Sequence, residues 1–157
     1  MQSMTPIQLQ RLIIREAAIS AVINMAISAG FYVAFFRGGA VTVAGIGNFA
    51  FDFLPQAFMV ALMGSLVPGL LARGRAGHAA KSRAAIVIRS LAVAALASLI
   101  AGGGAAALSL AIAGESLPWA LGLCIKLLFA VLVSAVATPL AVRHAFAEAS
   151  PNSIWRI

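Results

Sequence analysis

The sequence predicts an all-α integral membrane protein, a four-helix bundle made of two similarly oriented helical hairpins with both termini in the cytoplasm. Three observations predict it. Hydrophobic residues make up 62% of the 157 residues and charged residues only 10%, where a soluble domain has about 45–50% and about 25%. A chain this short cannot hide so much apolar surface in a water-facing core. The apolar residues fall in four runs, each near the ~20 residues a helix needs to cross ~30 Å of hydrocarbon. The basic residues fall almost entirely on one set of run ends.

The runs place spans near residues 10–36, 52–72, 88–114 and 117–143 of one transmembrane domain, 1–157. They are apolar on every side, so they read as helices and not as the alternating segments of a barrel. Thr5-Pro6 opens a helix ahead of the first span, because proline at the first helical position loses no bond. By the same argument Pro118 falls in the first turn of the fourth span, and Pro68 and Pro139 fall near the ends of the second and fourth. Gly38-Gly39 and Gly74 punctuate loops. The run after Arg15 is too long for a signal-peptide core and is read as retained.

Orientation follows from lysine and arginine. Arg11 and Arg15 precede the first span; Arg73, Arg75, Lys81, Arg83 and Arg89 fill the middle loop and its edges; Arg143 and Arg156 follow the fourth. Only Arg37 lies in an opposite-side loop. The positive-inside rule puts the first group in the cytoplasm. Trp119 and Trp155 are placed as interfacial anchors on opposite sides. The net charge of +7 is thereby assigned to topology and anionic headgroups, not to nucleic acid, since no basic stripe interleaves with aromatics. The single cysteine, Cys124, excludes an intramolecular disulfide.

The two halves share a pattern. Ala61–Pro68 followed by Leu70-Leu71-Ala72-Arg73 resembles Leu132–Pro139 followed by Leu140-Ala141-Val142-Arg143. Either the halves are a true repeat about an axis along the membrane normal, or any two such hairpins look alike.

Ionisable residues inside a bilayer are rare and are usually paired or functional. Asp52 opens the second span and Lys126 lies within the fourth. Measured from Pro68 and Pro139, their depths differ by only about 5 Å at ~1.5 Å per residue, within reach of a lysine stem. An Asp52–Lys126 ion pair is expected, either as structural glue or as part of a proton or ion pathway; otherwise Lys126 snorkels alone. Polar and small residues recur at every fourth position: Ser20, Asn24, Ser28 and Tyr32 in the first span, and Gly122, Lys126, Ala130, Ser134 and Thr138 in the fourth. Asp52 and Gln56 do the same in the second, with Gly64 further along that face. Such stripes face other helices, because lipid offers polar groups no partner. They are read as packing glue or as the lining of a solute path.

In the third span Ser98, Gly102 and Ala106 form a small-residue face, read as tight packing or a dimer face. Gly102-Gly103-Gly104 also weakens the helix there. The outer loop, residues 37–51, is apolar and glycine-rich and is expected to dip into the interface. Gly45-x-Gly47 is not a phosphate loop, having neither a preceding strand nor a following lysine. Met59 and Met63 are read as core and not as metal ligands. His78 and His144 lie in cytoplasmic segments, so no membrane histidine pair holds a haem. Glu16, Asp52, Glu115 and Glu148 are scattered. No catalytic or metal-ligating cluster is visible, so neither an enzyme nor a bound cofactor or metal is expected.

Ile23-Asn24-Met25-Ala26-Ile27-Ser28 with Phe35-Phe36, and Lys126-Leu127-Leu128-Phe129-Ala130 running to Thr138-Pro139-Leu140-Ala141, resemble a group of small, uncharacterised bacterial inner-membrane proteins with four predicted transmembrane helices. The resemblance implies a multi-pass protein of the bacterial inner membrane in which Asn24 and Lys126 are typical positions. It implies no mechanism. Two functions are carried forward: a small transport or permeation module, homodimeric, with Asp52 and Lys126 as a gate or coupling pair and Asn24 and Gln56 as polar lining; and a non-enzymatic accessory or scaffold subunit. The expected partners are the lipid bilayer, a second copy or another membrane protein, and a small solute. The first function requires a cavity reaching Asn24 or Lys126, the second a filled interior.

Overall fold

The computed structural model describes residues 6–76 and 82–147. Thr5, His78, Lys81, Glu148, Trp155 and Arg156 lie outside them, as does the side chain of His144. The described chain is mostly helical. Four helical stretches are long and apolar enough to cross a membrane: Gln10–Phe35, Phe53–Leu71, Arg83–Ile112 and Trp119–Arg143.

α1, Pro6–Phe35, begins on its proline. Past its end Gly38 and Gly39, at φ 65° and 90°, turn the chain through the left-handed region that glycine enters without strain. β1, Ala40–Thr42, follows, and a tight loop then leads into α2, Phe53–Ala76. The third span is one rod: α3, Arg83–Ala97, a π turn at Ser98–Gly102, and α4, Gly103–Ile112. Ser82 caps α3, its hydroxyl accepting from Ala85 N at 3.2 Å. β2, Ser116–Pro118, leads directly into α5, Trp119–Ala147.

Several expectations change. Pro118 precedes the fourth helix instead of lying in its first turn; it ends β2, opposite Ala40. Pro68 and Pro139 do fall near the ends of the second and fourth spans, but inside α2 and α5, which run on past them, as neighbouring helices allow in membrane proteins. A strand does precede Gly45-x-Gly47, although no lysine follows; Gly45 and Gly47 serve the turn, at φ 108° and 80°. The triple glycine does not break the third span. The helix widens into the π turn and resumes at Gly103.

The loop of residues 37–51 is a folded cap. β1 and β2 pair antiparallel, Val41 opposite Leu117, and join the two halves of the chain. Val41, Val43, Phe49, Ala50 and Leu117 bury with Tyr32 and Phe53 into one cluster. The sequence gives no warning of this ladder, because its strands are three residues each and sit in different loops.

Packing runs between the halves more than within them. α5 packs between α1 and α2, and α2 in turn lies between α5 and the third span; α1 and α2 touch each other sparsely. A second cluster of small residues, including Ala61, Ala94, Ala130 and Ala137, brings these helices close deeper in the bundle. Large apolar side chains such as Val22, Phe35, Leu99, Ile112, Leu128 and Val136 cover the outside. In water such a surface would drive aggregation; in lipid it is solvated.

Candidate functional site

The three predicted polar stripes converge. Asn24, Ser28 and Tyr32 of α1, and Gly122, Lys126, Ala130, Ser134 and Thr138 of α5, are all buried. Asn24 Nδ2 donates to Ser134 Oγ at 2.8 Å and to Ser20 Oγ at 3.3 Å. Gln56 Nε2 donates to Ser28 Oγ at 3.1 Å and to the Lys126 carbonyl at 3.0 Å. Tyr32 OH donates to the Trp119 carbonyl at 3.0 Å, and Trp119 Nε1 donates to the Phe36 carbonyl. Trp119 is thus half-buried against the end of α1. Gly64 faces the same seam: a Cβ there would meet Thr138 Oγ1 at 3.2 Å and Ser20 Oγ at 3.5 Å.

Asp52 sits in the turn just before α2, where its N–H donates to the Asn48 carbonyl at 3.1 Å and its carbonyl accepts from Gln56 N at 3.2 Å. Its Oδ2 lies 3.0 Å from Lys126 Nζ. The two groups are unequal. The Lys126 side chain is 1% exposed and that of Asp52 36%. Behind the pair, the ammonium lies 3.6 Å from the centre of the Phe53 ring and 4.8 Å from that of Phe49. These rings meet edge to face, and Phe53 meets Phe129 in the same way. A charge that costs about 2.5–3.5 kcal/mol in mid-bilayer is therefore compensated by a carboxylate and two ring faces. Among the described residues, Gln56 Oε1 and Thr138 Oγ1 are buried without a hydrogen-bond partner.

Because α1 and α2 splay apart over α5, a cleft of about 500 Å³ opens between them. Asn24, Ser28, Asp52, Gln56 and Lys126 supply its polar surface; Phe31, Phe35, Met59 and Met63 supply apolar walls. Met59 is exposed along this cleft and does not belong to the core. Among the described residues no three of His, Cys, Asp and Glu come together as a metal site would need.

Ser98, Gly102 and Ala106 lie elsewhere. Ser98 Oγ donates to the Leu54 carbonyl at 2.9 Å. A Cβ on Gly102 would stand 2.8 Å from the Phe53 carbonyl oxygen. Ala106 is buried under the cap. This face is spent on α2 within one chain and is not free to form a dimer.

Sequence reasoning missed the aromatic cage, although Phe49 and Phe53 stand at helical spacing around Asp52. It placed Gly122 on the α5 stripe without the reason for a glycine there, which is that a Cβ would collide with the Tyr32 hydroxyl, and it counted Glu16 only among scattered acids, whereas Glu16 is buried one turn before Ser20. The four apolar helices, with polar groups turned inward and apolar ones outward, point to a membrane protein. Comparison with protein families, curated proteins and solved structures finds no match to the chain.

Proposed function

We propose that this chain is a small transport or permeation module of the bacterial inner membrane, with both termini cytoplasmic and its hairpins similarly oriented. The observation that carries the reading is the cleft between α1 and α2, which reaches Asn24, Gln56 and the Asp52–Lys126 pair from the outside of the bundle. A scaffold needs no such opening, and a filled interior would serve it better. The orientation is supported by the arginines at the start of α1, the end of α2, the start of α3 and the end of α5, against Arg37 alone at the outer loop. In this reading Asp52 and Lys126 act as the gate or coupling pair, and Asn24 and Gln56 line the path. A second copy placed across the cleft would close its lipid side, which is the case for a homodimer.

The test is flux in proteoliposomes, followed as swelling with a panel of small solutes and as decay of an imposed pH gradient. Flux above that of empty liposomes is expected, and Lys126→Ala is expected to abolish it with the helical circular dichroism spectrum retained. Absence of flux for every solute and for protons, with co-purification of a membrane protein partner, would overturn the proposal in favour of an accessory subunit.

A further inference from the structure

We infer that the cleft between α1 and α2 selects a lipophilic organic cation, a compact apolar ion bearing one positive charge. This rests on reading the cleft as a solute site and names the chemistry that site accepts.

The argument is one of charge complementarity at an unequal ion pair. Of the two charged groups, the ammonium is sealed at 1% exposure behind the carboxylate, between the Phe49 and Phe53 rings. What the cleft presents to a ligand is the carboxylate, at 36% exposure. Its Oδ2 faces Lys126; among the described residues its other oxygen accepts no hydrogen bond. The same cleft is walled by the exposed rings of Phe31 and Phe35, stacked with centroids 6.1 Å apart, and, further along α2, by Met59 and Met63. Ring faces carry negative charge density and attract cations, and thioethers are polarisable and adapt to ligand shape. A strongly hydrated metal ion would find too few oxygens here to replace its water. An apolar anion would meet the carboxylate before it reached Lys126. An apolar cation satisfies the walls and the floor together.

Such a cation competes with Lys126 for one carboxylate, and that gives the proposal a sign. Removing the lysine charge should strengthen cation binding, whereas a purely structural pair would give weaker binding or none. The experiment is titration calorimetry of the full chain in neutral maltoside micelles with two probes of equal size and opposite charge, tetraphenylphosphonium and tetraphenylborate. The expected result is saturable binding of the cation to the wild-type chain, tightened on the order of tenfold in Lys126→Met. The double variant Asp52→Asn/Lys126→Met leaves neither charge buried and should keep the fold; in it the cation should bind no more than to empty micelles. Tetraphenylborate should not bind the wild type. If the anion is held instead, and is lost in Lys126→Met, the cation assignment fails while the solute site stands. If both probes bind equally in all three proteins, the cleft is an apolar lipid groove, and the assignment and the solute site fail together. They also fail together if neither probe binds any of the three.

Discussion

α2 presents two different interfaces, and the contrast explains most of the molecule. Toward α5 and α1 it offers Gln56 and Gly64, with Asp52 in the turn before it, and ionic and polar contacts there join the small apolar ones, beside an open cleft. Toward the third span it offers backbone: the Leu54 carbonyl takes the Ser98 hydroxyl, and the Phe53 carbonyl fills the space a Gly102 side chain would need. One face tolerates a gap because hydrogen bonds and an ion pair hold its sides. The other depends on close approach, since helices in lipid gain little from hydrophobicity and much from packing.

The largest effect expected is at the ion pair. Asp52→Asn strands a buried ammonium among phenylalanine rings and should cost about 3–5 kcal/mol of stability in a detergent unfolding titration. Replacing both partners, Asp52→Asn with Lys126→Met, should recover most of that loss. If the double variant is no better than the single, the two residues do not interact. Next comes the packed face. Gly102→Ala forces a Cβ against the Phe53 carbonyl and should cost about 1–3 kcal/mol, whereas Gly103→Ala, with nothing within 4 Å, should be neutral or better. Equal effects at both glycines would mean that α2 does not approach Gly102 as described. Smaller still is the seam above the cleft. Asn24→Ala and Ser134→Ala should each cost about 1–2 kcal/mol, with a coupling near 0.6 kcal/mol in the double-mutant cycle. Strict additivity would separate the two side chains. Ser98→Ala should be the mildest change, about 0.6 kcal/mol, since the Leu54 carbonyl keeps its place in α2.

The same contrast marks what could be read from residues alone. The polar seam was legible because fourfold spacing fixes a face of a helix: Ser20, Asn24 and Ser28 had to look inward, and so did Lys126, Ser134 and Thr138. The Asp52–Lys126 pair followed from depth, which a rise per residue supplies. The Ser98–Gly102–Ala106 face was legible as close packing, but its partner was not, because small residues say how near a neighbour comes and not which neighbour it is. Nothing local could tell that the third span leans on α2 while α5 packs between α1 and α2, nor that α1 and α2 would part to leave a cleft. These depend on contacts between residues far apart in the chain. The β1–β2 ladder and the Phe49–Phe53 cage escaped for the same reason, being assembled from two loops distant in sequence and the helix ends beside them.

Accessibility of cysteines separates the two interfaces of α2 most directly. In a Cys124→Ser background, which removes the exposed native thiol, single substitutions Ser28→Cys and Gln56→Cys probe the cleft, and Ser98→Cys probes the packed face. With the protein in native membranes, a charged, membrane-impermeant methanethiosulfonate should modify the first two within minutes and leave the third unmodified. Equal protection at all three positions would contradict an open cleft and, with it, the account of this protein as a solute-handling module.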